Sequence, residues 1–138
     1  MNVKFPLVAL ALALGACAAQ EHPAPLGPQP LQVVGVPITL VDLQSQIVGN
    51  TGVGTRTGTR VQWTVYVGTD GRLATKTPIN NDTGTWRMSP GDGRFCMTLR
   101  SEANGQENCY SPYRRGNAIE LVDGDTAQIL VFSPGNRL

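Results

Sequence analysis

Few side chains in this sequence suit nucleophilic, redox or metal chemistry. The single histidine, His22, stands among prolines, and the only lysines are Lys4 and Lys76. A serine or cysteine nucleophile needs a base beside it, which these residues do not supply, so hydrolysis of that kind is not expected. A pair of carboxylates can do acid–base work, and the candidates are Asp70, Asp82, Asp92, Asp123 and Asp125. Four of them adjoin a glycine, where aspartate commonly stabilises a turn. The runs Asn80-Asn81-Asp82-Thr83 and Asp123-Gly124-Asp125-Thr126 offer oxygen ligands, but they lack the spacing and distal Glu of a calcium loop. Zinc lacks ligands altogether. No enzyme activity, cofactor or metal is expected. That leaves the aromatic residues Trp63, Trp86, Tyr66, Tyr110 and Tyr113, a side-chain class that dominates both cores and contact surfaces. Tyr66, Tyr113 and the neighbouring Arg114 are the candidate contacts for a ligand or a partner.

Charged residues make up 15% of the chain against a typical ~25%, whereas it carries 16 glycines and 10 prolines. Short strands and many turns fit that composition better than long helices. The net charge is +1, and it falls to zero if Lys4 is removed. A neutral chain has no field to draw it to nucleic acid. Arg114-Arg115 precede Gly116-Asn117 and suit a solvated turn better than a phosphate-binding patch.

At the N-terminus, Lys4 precedes an apolar run, Phe5 to Leu14, which is long enough for a signal sequence and too short to span a bilayer. The quartet Leu14-Gly15-Ala16-Cys17 that follows resembles the lipobox of bacterial lipoproteins, in which the cysteine is acylated and becomes the new N-terminus. The resemblance implies a signal peptide over 1–16, a palmitate-type anchor on Cys17 and attachment to a membrane. Ala18, where the enteric sorting rule would want Asp for inner-membrane retention, points to the outer membrane, facing the periplasm. With Cys17 acylated, Cys96 and Cys109 remain as a pair in a compartment that permits disulfides. Residues 17–37 hold Pro23, Pro25, Pro28, Pro30 and Pro37 and read as a stiff tether. One β-rich domain over 38–132 and a short tail over 133–138 complete the chain.

Within the domain, Leu40, Leu43 and Ile47 recur at helical spacing, with Thr39 placed to cap and Gly49 just past the end, so a short helix is expected to close one end of a β core. Alternation takes over afterwards. Val61, Trp63, Val65 and Val67 fall on one face of a strand, with Gln62, Thr64 and Tyr66 on the other. Asp70-Gly71 and similar turns farther on divide the remainder into strands, six or seven in all. Such a meander is expected to curl into a barrel or half-barrel, with a sandwich as the alternative. Pairing Cys96 directly with Cys109 would leave a four-residue hairpin loop at 101–104.

The order Asp70-Gly71, Gly84-Thr85-Trp86, Cys96, Cys109-Tyr110 is similar to a family of small exported domains, frequent in alphaproteobacteria, that share a "DG…GTW…C…CY" skeleton and have no assigned function. The resemblance covers roughly 40–132 and carries over no catalytic residue. Met97-Thr98-Leu99 stands where that family commonly has an aromatic after the first cysteine. The leading functional reading is a non-enzymatic, membrane-anchored envelope protein that binds an envelope partner or a small apolar or glycan ligand. A periplasmic inhibitor of a protease or lysozyme is the alternative, using an exposed loop at 111–115; a carboxylate enzyme comes last.

Overall fold

The computed structural model describes residues 32–33 and 35–138, so the signal peptide, Cys17, His22 and most of the tether lie outside the described residues. Helix α1 (Leu40–Ile47) forms where the apolar spacing puts it. The Thr39 hydroxyl oxygen accepts from the Asp42 N–H at 3.1 Å and donates to the Asp42 carboxylate at 2.8 Å, which satisfies a helix-end donor. Leu43 and Ile47 are fully buried. Gly49 then reverses the chain at φ 78°, a conformation that side chains other than glycine's rarely adopt.

Among the described residues nine strands accompany the helix: β1 (Val36–Pro37), β2 (Asn50–Arg56), β3 (Gln62–Val67), β4 (Arg72–Lys76), β5 (Asn81–Ser89), β6 (Arg94–Leu99), β7 (Glu107–Arg115), β8 (Ala118–Asp123) and β9 (Thr126–Pro134). From β2 to β9 each pairs antiparallel with the next, and β2 pairs with β9, which closes an eight-stranded up-and-down barrel. Closure removes the free edges of these eight except at the end of β7, which runs on beyond its pairing with β6. The expected barrel is therefore a full one, and the sandwich is excluded. β1 lies outside this ring on the end of β7, with Val36 opposite Arg114 and Pro37 opposite Tyr113.

Four details differ from the reading of the sequence. β2 was not foreseen, because Gly52 and Gly54 occupy its inward positions and erase the apolar alternation. Packing demands the second, where a Cβ would meet the Ile129 carbonyl oxygen at 1.8 Å, and favours the first, where it would meet the end of the Phe132 ring at 2.8 Å. Val61 precedes β3 instead of joining its core face and is 49% exposed. The end of the tether forms β1. At the other end of the domain, β9 runs on to Pro134, and the tail beyond it is pinned to the wall, where the Thr51 hydroxyl donates to the Gly135 carbonyl at 2.6 Å and accepts from the Arg137 N–H at 3.0 Å.

The core follows from the inward faces. Val65, Val67, Leu73, Phe95, Met97, Leu121 and Leu130 meet Leu43 and Ile47 of the helix in one buried apolar cluster. Removing this surface from water is the main favourable contribution to folding. Trp86 packs against it with its ring 6.1 Å from that of Phe95, its indole N–H donating to the Gly68 carbonyl at 2.8 Å. On the outer wall Cys96 and Cys109 are direct cross-strand partners joined by a disulfide. A loop of this size contributes about 3 kcal/mol by restricting the unfolded chain. The ladder stops at Thr98–Glu107, and a 3-10 turn (Ala103–Gly105) shapes the connection.

Candidate functional site: the open mouth of the barrel

Strand direction gives the barrel two unlike ends. The tether's last residues, α1, the turns at 68–71, 90–93 and 116–117 and the C-terminal tail gather at one end, which the helix closes. At the other lie the connections 57–61, 77–80, 100–106 and 124–125. Among the described residues, no α-helix covers that end, and cavities open there.

Two adjoining cavities occupy the mouth. The larger, about 320 Å³, is walled by Val61, Trp63, Thr75, Ile79 and Leu99, with Asp82 and Ser101 on its polar side. The smaller, about 210 Å³, is walled by Asn108, Tyr110, Asp123, Thr126 and Gln128. Arg56 and Glu102 line both and form an ion pair at 2.9 Å between them. Ile79, on the rim of the larger cavity, is 92% exposed.

Most polar groups here are already bonded within the protein. Asp82 accepts from the Ser101 N–H at 2.8 Å, the Ser101 hydroxyl at 2.7 Å and the Thr83 N–H at 2.7 Å. Burial opposes its charge, but the Ser101 and Thr83 hydrogen bonds and the positive charge of Arg100 outweigh it and hold the carboxyl below its ordinary range. Asp123 pairs with Arg94 at 3.0 Å. Burial pushes the Tyr110 phenol up, which keeps it neutral at physiological pH.

Two buried groups are left over. Among the described residues, only the Trp63 indole N–H and the Gln128 side-chain oxygen are buried side-chain polar atoms without a hydrogen-bond partner. Gln128 meets the Tyr110 hydroxyl at 3.3 Å through the other end of its amide. An orphaned buried donor or acceptor costs about 1–3 kcal/mol, and native structures keep few of them. Both belong to residues that line the mouth.

The candidates singled out in the sequence lie elsewhere. Tyr66 is on the outer wall, in a trough of about 810 Å³ shared with Ala74, Thr83, Thr98 and Arg100. That hollow is the larger, but no buried side-chain polar atom within it lacks a partner, so the mouth is the more incomplete site. Tyr113 and Arg114 sit across the barrel from Tyr66, with three strands intervening in either direction around the wall. The segment 111–115, which the inhibitor alternative would need as an exposed loop, is strand: it pairs with β8 on one side, and β1 takes up its other edge. Tyr113 and Arg114 thus hold the chain's own N-terminal segment, whose Gly35 N–H also donates to the buried Glu120 carboxylate at 3.2 Å.

Cys96, Glu107 and Cys109 come within metal-binding distance of one another, but the two sulfurs are bonded together and Arg87 holds Glu107 through two hydrogen bonds of 2.6 and 2.7 Å. Arg56, Ile79, Glu102 and Gln128 were not foreseen as site residues. Arg56 ends the unrecognised strand and Glu102 and Ile79 lie in connections, where no periodicity marks them. A glutamine inside the apolar run 127–132 was the one available signal. Among the described residues, no helix is long and apolar enough to cross a membrane. No protein-family model, curated protein or solved structure matches the chain.

Proposed function

We propose that this chain is a lipid-anchored protein of the cell envelope, held through Cys17 at the outer membrane and facing the periplasm, whose barrel binds a small molecule in its open mouth without transforming it. The hollow of about 320 Å³ at the mouth, with Val61, Trp63, Ile79 and Leu99 in its wall, carries the binding half of this reading. Ligand sites are commonly concave and mostly apolar with a few placed polar groups, and a volume of about 320 Å³ is at the small end of their range. The lipobox resemblance at 14–17 carries the anchoring half, and kinship with the exported "DG…GTW…C…CY" domains belongs to the same proposal. The described end of the tether joins the barrel at the helix-closed end, opposite the mouth.

Both halves are open to test with one variant. Cys17→Ser should abolish acylation and release the full chain from membranes; acylation that persists in it contradicts the anchor. The released chain should then show saturation transfer to naphthalene, a neutral apolar probe of about ten water-sized groups and so matched to the cavity. Ile79→Asp at the rim should weaken that transfer. Transfer that is absent, or unchanged by Ile79→Asp, contradicts the mouth as a binding site.

A further inference from the structure

Resting on the mouth as a ligand site, we infer that its ligand class is a single-chain anionic amphiphile, whose apolar tail lies in the larger hollow while its head stays in water at a cationic rim. The tail follows from the wall. Val61, Trp63, Ile79 and Leu99 give the hollow a mostly apolar surface, and the buried Trp63 nitrogen means that this ring offers carbon there and no hydrogen bond. A volume of about 320 Å³, at roughly 30 Å³ for each group of water size, holds a tail of up to about ten carbons. Ile79 stands on a turn that is closed from both sides, by the Thr77 N–H donating to the Asn80 carbonyl at 2.8 Å and the Asn80 N–H donating to the Thr77 hydroxyl at 3.0 Å. That turn holds an apolar side chain in water beside the hollow, where a tail would cover it.

The head follows from the rim. Arg60 stands between Thr59 and Val61, Lys76 between Thr75 and Thr77, and Arg100 between Leu99 and Ser101, and all six of these neighbours line the hollow. The three cations are exposed, and among the described residues none of them forms an ion pair. The charges that line or flank the hollow are thus Arg56, Arg60, Lys76 and Arg100 against Asp82 and Glu102, in a chain of net charge +1. Solvent reaches these groups, the Arg56 and Glu102 side chains being 40% and 43% exposed, so each one counts for little and none shuts out a head of either sign. Their sum favours an anion only by a few-fold, through a field that salt screens, whereas burial of the tail supplies most of the affinity.

Calorimetry on the full chain carrying Cys17→Ser, with saturated carboxylates from hexanoate to tetradecanoate and with decylammonium, reads tail and head separately. Affinity should rise about threefold for each added methylene and level off near decanoate, where the hollow is full. In about 20 mM salt decanoate should bind roughly threefold or more tightly than decylammonium, and in about 0.5 M salt the two should come within about twofold. Ile79→Asp, at an exposed position, should weaken decanoate roughly tenfold. Arg60→Gln combined with Lys76→Gln should reduce the salt-sensitive preference and keep the dependence on chain length. Affinity that ignores chain length, or that climbs undiminished to tetradecanoate, overturns the tail. Equal binding of the two heads in low salt, or a preference untouched by the double substitution, overturns the anionic head and leaves the tail in place. If naphthalene binds and no carboxylate does, the amphiphile fails alone; if naphthalene fails as well, the mouth fails with it.

Discussion

Trp63 and Tyr66 stand three positions apart on one strand and face opposite sides of the wall. Trp63 points inward against the apolar cluster, whereas Tyr66 lines the outer trough. Denaturant unfolding should therefore show Trp63→Ala costing about 3 kcal/mol and Tyr66→Ala under about 1 kcal/mol. A larger loss for Tyr66→Ala would mean that the two faces are exchanged, as a one-residue register error would make them. Asp82 gives this scale a pH dependence. Its folded pKa lies below the ordinary 3.8, so the folded chain gives up this proton more readily than the unfolded one. The associated stability is complete above the unfolded value near 4 and disappears as pH falls through the folded value. The Ser101 amide signal should consequently titrate with a midpoint below 3.8, and Asp82→Asn should remove that transition. A midpoint above 4 in the parent protein would contradict the hydrogen-bonded carboxylate.

At the scale of elements, β2 depends on having no side chain at two places. Gly54→Ala sets a methyl against the Ile129 carbonyl and the Leu130 Cα, both of them backbone, so β2 and β9 must part to admit it. Gly52→Ala meets only the Phe132 ring, which can turn aside. Thermal unfolding should show Gly54→Ala losing about 3 kcal/mol or more and Gly52→Ala about 1 kcal/mol; equal losses would contradict the close β2–β9 approach. The same glycines explain the limits of the sequence as a guide. Helix α1 was legible because Thr39, Leu43 and Ile47 each do locally what their spacing says. β3 was legible from strict alternation, and the Cys96–Cys109 register from the cysteines themselves. An inward glycine, by contrast, records a close approach from a strand more than seventy residues away, and a window on β2 alone holds no trace of it. β1 was hidden for a related reason: Val36 and Pro37 are strand only because β7 has an edge to offer. The mouth was the least legible feature, since Arg56, Ile79, Glu102 and Gln128 come from separate segments that barrel closure alone assembles.

For the molecule as a whole, closure makes inside and outside unequal. The outer wall is covered in part by the chain's own ends: the segment at Gly35 reaches the buried Glu120, and the tail at Gly135 and Arg137 covers the buried Thr51. Inside, the apolar floor is sealed by α1 at one end and rises at the other to a mouth where two buried polar atoms have no partner. An envelope protein tethered at its closed end would turn this mouth away from the membrane. Ligands are proposed to enter there and not at the outer trough or the β1–β7 seam. Amide and indole NMR spectra of the full chain carrying Cys17→Ser, recorded while naphthalene is added, test it most directly. Saturable shifts of the Trp63 indole N–H and the Gln128 side-chain amide, which line the mouth, are expected, while the Trp86 indole, which is bonded to Gly68, stays in place. Shifts confined to Tyr66, or to Tyr113 and Arg114, with the Trp63 and Gln128 signals unmoved, would contradict it.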